Sequence, residues 1–455
     1  MFYLGFYISK IIRLILRIFN KNATTLPGKI AIKIYPNFLK KIAKPKIIIG
    51  VTGTNGKTTV CNLLNSFFIK NGYKVINNKF GSNLNSGIAS SFISGANIFN
   101  KCNYDIAILE IDERSAPKIL PFIRLDYFIC TNLFRDSIRR EANPDFICDL
   151  LDKYINKDTK LILNADDIIS SSIGKENKKV FFGISELDTD KKEIDNIVCD
   201  VRVCPKCYSK LKYNYIKYHH LGNAYCPNCG FKSKKPDFLV DKVDFSNNYI
   251  TVKYNNESFK YHLINDSIFN VYNMVIVISL LKELNIDNEK IVQFFEKEEI
   301  VESRYRKDVV NDTNIITIMA KGQNAIACSC VFDYVRKEPN KKEIILLLFD
   351  LFDNKNSSEN LAWIYDCDFE FLNDKDIDRI IIGGPRCEDF YLRLLLSGIP
   401  KEKLFMTKDE SDTVNYLSLD KNKDIYILYE LYDYKISNNV RLKLINKLIR
   451  GNKND

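Results

Sequence analysis

The sequence predicts an α/β protein: a mostly parallel sheet flanked by helices, interrupted by an inserted four-cysteine zinc ribbon and followed by a smaller α/β domain. Three observations carry that reading. A run of β-branched residues, "IIIGVTGTNGKTTV" (Ile47 to Val60), breaks into glycines and opens a helix. Beyond it, short apolar strands alternate with helical segments, and each strand ends on polar residues. In the middle of this alternation stand Cys204-x-x-Cys207 and Cys226-x-x-Cys229, two knuckles of one metal-binding ribbon.

With 455 residues, 46% apolar and 12% aromatic, the chain can bury about two or three cores, which excludes a disordered protein. Residues 1–44 read as an amphipathic helix and lead-in, 45–300 as the central domain with its ribbon at about 198–236, and 301–455 as the C-terminal domain. The opening segment "FYLGFYISKIIRLILRIF" is interrupted by Lys10, Arg13 and Arg17 and has no small-residue cleavage site, so no signal peptide is expected. With Lys21 these residues form one basic stripe on an apolar helix. Two destinations fit it equally: the inner face of a membrane, or the body of the protein. Cysteines scattered singly through apolar runs, such as Cys61, Cys102, Cys130 and Cys148, read as reduced thiols of a cytoplasmic protein. The net charge of +10 agrees with an anionic membrane face or a pyrophosphate-bearing substrate.

The expected elements run in order from a strand at 46–51 and a helix at about 57–71 to a strand at 74–77, a Gly/Ser/Asn loop and a helix. The strands "YDIAILEID", "LDYFICTNL" and "TKLILNADD" come next. Ligands of such sheets sit at the carboxyl ends of the strands. The tips "GTNGKTT", "EIDE", "TNLFRD" and "NADD" are therefore expected to face one site. After the ribbon come "FNVYNMVIVISLLKELNI", an expected amphipathic helix, and then "VESRYRKD". The last block has strands near 343–349, 378–382 and 424–428 and helices near 386–397 and 437–449.

Backbone N–H groups of a glycine turn at a helix N-terminus cradle phosphate, a following lysine reaches the β- and γ-phosphates, and the next hydroxyl binds Mg²⁺. Gly53, Thr54, Asn55, Gly56, Lys57, Thr58 and Thr59 meet that demand, with Val51 where a strict Walker motif has glycine. Four thiolates at Cys204, Cys207, Cys226 and Cys229 leave no position for water, so the zinc is expected to be structural. His219 and His220, between the knuckles, are expected to face solvent, and Cys199 to be a spare. The interleaved "SKLKYNYIKYHH" is also what a nucleic-acid surface needs, but a surface loop of an insertion reads the same, and no nucleic acid is expected.

The motif "TGTNGKTT" resembles that of Mur ligases and folylpolyglutamate synthetases, and the likeness continues in order along the chain. It implies ATP and Mg²⁺, with Glu110 of "EIDE" on the metal, and Asn164, Asp166 and Asp167 of "LILNADD" near the adenine and ribose. It also implies Asn270 and Asn273 of "FNVYN" on the adenine and Arg304 of "ESRYR" on phosphate. Family positions differ at Ser267, Phe269 and Ser303.

Within that family the segments "TTLPGKIAIKI", "TNLFRDSIRR" and "WIYDCDFE", together with the four-cysteine insertion, resemble the MurT family, the synthetase subunits of lipid II isoglutaminyl synthase. Asp136-Ser137 stands where amino-acid-adding ligases have Asp-His. Arg139 and "KGQNA" (Lys321 to Ala325) depart from the MurT pattern. The resemblance implies amidation of the D-glutamate α-carboxylate of the lipid II stem peptide, with ammonia from a GatD-like glutaminase in a heterodimer. It also implies an aspartate lent to that partner's Cys/His pair: Asp366, with Asp368 and Asp353 as competitors. The scarcity of histidine, only His219, His220 and His262, agrees with ammonia made on another chain. Two alternatives remain open: a ligase that adds an amino acid, and a nucleotide-regulated zinc-ribbon binding protein.

Overall fold

The computed structural model describes residues 1–78, 83–135, 143–264, 267–298, 305–320, 324–348, 361–420, 423–430 and 434–451. Two compact units emerge, one of residues 1–134, 143–195 and 199–300, the other of residues 135–142, 196–198 and 301–455.

In the first unit, α1 (Phe2–Ile18), α2 (Leu26–Ile34) and α3 (Phe38–Lys41) precede β1 (Ile47–Thr52). Then come α4 (Lys57–Lys70), β2 (Val75–Asn77), α5 (Asn85–Gly95), β3 (Ile106–Glu110), α6 (Ala116–Ile119), β4 (Tyr127–Cys130), α7 (Pro144–Tyr154), β5 (Lys160–Asn164) and β6 (Lys179–Ile184). The hairpin β7 (Lys212–Tyr218) and β8 (Leu221–Tyr225) stands apart as its own two-stranded sheet. β9 (Phe238–Asp244), β10 (Tyr249–Tyr254), β11 (Glu257–His262), α8 (Ile268–Glu283) and α9 (Asn288–Lys297) complete the unit.

Its main sheet has nine strands in the order β11-β10-β9-β6-β5-β4-β1-β3-β2, parallel from β2 to β9 and antiparallel through β10 and β11. β1 lies between β3 and β4, so the strand order reverses there and opens a crevice at the carboxyl ends. β1 is buried along almost its whole length, which is why it reads as an unbroken apolar run rather than an alternating one. Gly50 is needed within it: a Cβ there would sit 2.7 Å from the Leu125 side chain and 2.8 Å from the Phe128 ring.

Three local readings are corrected. The segment before β1, read only as a lead-in, forms both α2 and α3. α8, expected to be amphipathic, is buried on every side from Val271 to Leu281, because it is enclosed by α4, α9 and the sheet. The antiparallel meander β9–β11 escaped the sequence reading. Its tight turn Asn255–Asn256, with φ of 50° and 64°, is the kind that asparagine tolerates between two strands.

The second unit holds β12 (Tyr305–Val310), β13 (Thr313–Met319), α10 (Ala325–Lys337), β14 (Lys342–Leu347), β15 (Ile377–Gly383), α11 (Cys387–Leu396), β16 (Leu404–Thr407), β17 (Asp424–Tyr429) and α12 (Tyr434–Gly451). Its six-stranded sheet, β12-β13-β17-β14-β15-β16, is parallel except for the β12–β13 edge pair. Apolar residues pack on both faces. The segment from Ala362 to Leu372 has two short 3₁₀ turns instead of a regular element, and Arg393 of α11 holds it. That guanidinium donates to Ile364 O at 2.9 Å, Cys367 O at 3.0 Å and a Glu370 carboxylate oxygen at 2.9 Å. Arg393→Ala is expected to destabilise this unit by about 3 kcal/mol, since it strips buried partners from one charged group. Chemical denaturation followed at Trp363 would measure it.

Candidate active site

The glycine loop hangs between β1 and α4 and is fixed by the neighbouring strand ends. Gly53 and Gly56 have φ of 124° and 90°, where glycine alone is unstrained. Space demands glycine as well: a Cβ on Gly53 would lie 2.1 Å from Thr131 Oγ1, and one on Gly56 would lie 2.5 Å from Asn273 Oδ1. Just past β4, Thr131 Oγ1 donates to Asn55 O at 2.6 Å, and Asn132 Oδ1 accepts from Asn55 N at 3.0 Å. Thr54 N donates to Asn132 O at 2.8 Å, and Phe134 N donates to Thr54 Oγ1 at 2.9 Å. The loop is thus held in shape by the "TN" tip of the next strand.

Lys57 opens α4. Its ammonium donates to Gly53 O and, at 2.9 Å, to Glu113 Oε1, which also accepts from Gly53 N at 2.9 Å. Burial works against the charged lysine, but Glu113, with Glu110 and Asp112 behind it, outweighs burial and raises its pKa above the ordinary value. Thr58 Oγ1 donates to Glu110 Oε2 at 3.0 Å, which brings one hydroxyl and one carboxylate together at the loop's mouth. Such hard oxygen donors suit Mg²⁺ beside a nucleotide's phosphates. Thr59, one residue on, is half-buried.

Asn164 is buried at the end of β5, where it accepts from Asp166 N at 3.0 Å and donates to Thr131 O at 3.3 Å. Asp166 Oδ2 accepts from Ile184 N at 2.9 Å and from the Tyr272 hydroxyl at 2.8 Å; burial pushes its pKa up to about 6 against those bonds. Asp167 is fully buried, accepting from Leu133 N at 2.7 Å and Ile169 N at 2.9 Å. These carboxylates brace the strand ends. Asn270 and Asn273, in the first two turns of α8, are joined by a 3.3 Å hydrogen bond, and Asn273 stands beside Gly56. Arg304, Asp353, Asp136, Ser137, Arg139 and Lys321 lie outside the described residues.

In the second unit, Asp366 and Asp368 separate clearly. Asp368 is buried, accepting from Asn196 Nδ2 at 2.7 Å and Ile197 N at 2.8 Å. Asp366 is part-exposed and takes one guanidinium hydrogen bond, from Arg135 Nη1 at 3.2 Å. Of the two, Asp366 is the more exposed carboxylate.

Two family models match the chain: the Mur ligase middle domain over residues 51–281 and the MurT ligase C-terminal domain over residues 322–432. The MurT subunit of lipid II isoglutaminyl synthase (glutamine-hydrolyzing) from Staphylococcus aureus strain COL is 30% identical over 396 residues, 86% of this chain and 87% of that one. The chain belongs to the MurT family. Its Streptococcus pneumoniae R6 relative, also named as a MurT subunit of that synthase, is 29% identical over 411 residues, 89% of each chain. Among solved structures, a pseudomurein peptide ligase type C from Methanothermus fervidus has a TM-score of 0.62 at 23% identity, covering 91% of this chain and 80% of that one. MurF ligase from Thermotoga maritima in complex with ADP has a TM-score of 0.57 at 13% identity, covering 93% and 83%. At those identities the structures establish the fold: a Mur ligase architecture, and with the family it makes this MurT-family chain a ligase.

The ribbon of this MurT-family chain fits a metal. Cys204 Sγ and Cys229 Sγ are 3.5 Å apart, as are Cys207 Sγ and Cys226 Sγ, and all four sulfurs lie within 4.8 Å of one another. A tetrahedral Zn–S shell needs sulfurs about 3.8 Å apart. The knuckles are built alike: Tyr208 N donates to Cys204 O and Gly230 N to Cys226 O, with φ of 60° and 72° at the two donors. Cys199 stays outside the cluster, donating to Val201 O.

The knuckles close the open end of the β7–β8 hairpin, and its tip is His219–His220. The expectation that these histidines face solvent is overturned: they are 1% and 0% exposed. Both rings pack on Phe134, the two Nδ1 atoms are 2.9 Å apart, and His220 Nε2 lies 3.1 Å from Asp167 Oδ1. Tertiary packing of the tip explains this, and no local sequence pattern announces it.

Glu113, Thr131 and Asn132 also escaped the sequence reading. Each sits inside a quoted strand-end tip, and the second glutamate of "EIDE", Glu113, which opens a 3₁₀ turn just past β3, was the available signal.

Proposed function

We propose that this ligase amidates the α-carboxylate of D-glutamate in the lipid II stem peptide, giving D-isoglutamine at the expense of ATP. The observation that carries the proposal is the likeness of the chain, at both its middle and C-terminal domains, to the MurT subunits named above. The site geometry supports it. Lys57 neutralises the γ-phosphate, and Thr58 with Glu110 holds Mg²⁺, which when bound shields the phosphate charge. The carboxylate attacks the γ-phosphorus, ADP leaves, and the acyl phosphate is taken by ammonia with loss of phosphate. Asn270 and Asn273 face the adenine, and Arg304 serves the phosphates. The ribbon's zinc is structural. On this reading the reaction runs in the cytoplasm.

Ammonia comes from a GatD-like glutaminase subunit to which Asp366 lends its carboxylate. Asp366→Asn is therefore expected to lower glutamine-driven amidation by about a hundredfold or more while leaving ammonium-driven amidation within about twofold. Equal losses with both nitrogen sources would remove Asp366 from that role. The reaction itself is tested by incubating the chain with a lipid II analogue, ATP and ammonium or a free amino acid, followed by mass spectrometry. Replacement of one hydroxyl by an amino group supports amidation; attachment of the amino acid favours the amino-acid-adding ligase; absence of turnover favours the binding protein.

A further inference from the structure

Helix α1 is docked and yet half uncovered. Phe6 and Ser9 are fully buried, the Ser9 hydroxyl donates to Pro27 O at 2.8 Å, and Lys10 and Arg13 are tied to Ala96 O and Ser94 Oγ of the α5 end. The other side carries Leu4, Tyr7, Ile11, Leu14, Ile15 and Ile18, all exposed, with Ile11, Leu14 and Ile18 at 56%, 60% and 70%. At about 100° per residue these side chains and Tyr3 fall within one arc of about 120°, uninterrupted by any polar residue. An apolar face of that kind on a well-packed helix has an occupant.

Charge identifies it. The first 104 residues contain 15 lysines and arginines and no aspartate or glutamate, whereas the remaining 351 contain 52 basic and 57 acidic residues. The whole positive excess of the chain therefore sits at this end. Arg17, Lys21, Lys29, Lys33, Lys40 and Lys41 are exposed around the helix and its neighbours. A two-fold pair of such faces would bring like charges together with no local acid to offset them. Nor can α1 cross a bilayer: at about 25 Å it is short of the ~30 Å core, and no helix among the described residues is long and apolar enough to span.

We infer that the exposed face of α1 is a docking surface for an anionic lipid bilayer, the apolar arc entering the headgroup boundary and the basic side chains meeting lipid phosphates. The inference stands on this surface alone and does not depend on the amidation reading.

The test is co-sedimentation of the full chain with phosphatidylcholine vesicles, with and without phosphatidylglycerol. Binding is expected only with phosphatidylglycerol, and it should weaken by about tenfold or more at high salt. The double variant Ile11→Asp/Leu14→Asp is expected to lose that binding while keeping the wild-type circular dichroism and melting curve, because both side chains lie outside the packed face. Its ATP turnover on a water-soluble substrate analogue, where such turnover exists, should be unchanged. Equal binding to phosphatidylcholine alone, or undiminished binding by the variant, would overturn the inference. So would a wild-type dimer in solution that the variant converts to a monomer, since the face would then belong to a second copy.

Discussion

Lys57→Met is expected to lower ATP turnover by about a hundred- to a thousandfold with little change of fold, the range for removing one preorganised donor from a developing charge. The physical reason lies in how the ammonium is held. Gly53 O and Glu113 Oε1 fix Nζ at the open side of a turn whose shape is set independently by Thr131, Asn132 and Phe134. Methionine keeps the unbranched stem and removes the charge, so the loop keeps its hydrogen bonds to Thr131, Asn132 and Phe134 while Gly53 O, Glu113 and the proposed phosphate lose their cation. Glu113 would remain part-buried without its partner, at a cost of about 1–3 kcal/mol. The double variant Lys57→Met/Glu113→Gln separates this cost from the catalytic loss: it should recover melting temperature without recovering turnover. Phosphate release in a single turnover, alongside thermal melts, is the measurement. Turnover within about tenfold of wild type in Lys57→Met would show that this loop does not carry the transferred phosphate.

The loop itself was legible because its chemistry is local. Two glycines, a lysine and three hydroxyls within seven residues, following a buried strand, leave little room for another structure. The four-cysteine ribbon was legible for the same reason, since ligand spacing is written along the chain. Contacts between distant tips were not. Glu113 reaches Lys57 only because β3 and β1 are parallel neighbours in a fixed register, and Asp167 meets His220 only because the ribbon's hairpin folds inward. Residue type misled in one case: α8 contains enough asparagine, serine and lysine to look amphipathic, but its polar residues gather at its ends and its middle is enclosed. Asp366 and Asp368 show the converse. Two residues apart in sequence, they differ in that one carboxylate is tied to Asn196 and Ile197 and the other is part-exposed, a distinction only packing makes.

Stripping the zinc proposed for the ribbon is expected to melt it and raise the KM for ATP by about tenfold or more, with a smaller fall in kcat. A structural zinc contributes about 10 kcal/mol or more of binding free energy, comparable to the whole stability of a domain, so without it the two-stranded hairpin loses its largest single support. The effect travels because the hairpin tip is part of the loop's support. His219 and His220 pack on Phe134, whose N–H holds the Thr54 hydroxyl of the glycine loop, and His220 partners Asp167, which holds Leu133 N. Cys226→Ser should reproduce chelation in both metal content and KM. His220→Ala distinguishes the two ends of the hairpin: it should retain stoichiometric zinc and still raise the KM for ATP, because the knuckles stay intact while Asp167 and Phe134 lose their cover. If the variant binds zinc and ATP as wild type does, the tip is packing without consequence for the loop. If chelation leaves melting unchanged, the four thiols do not hold a structural metal.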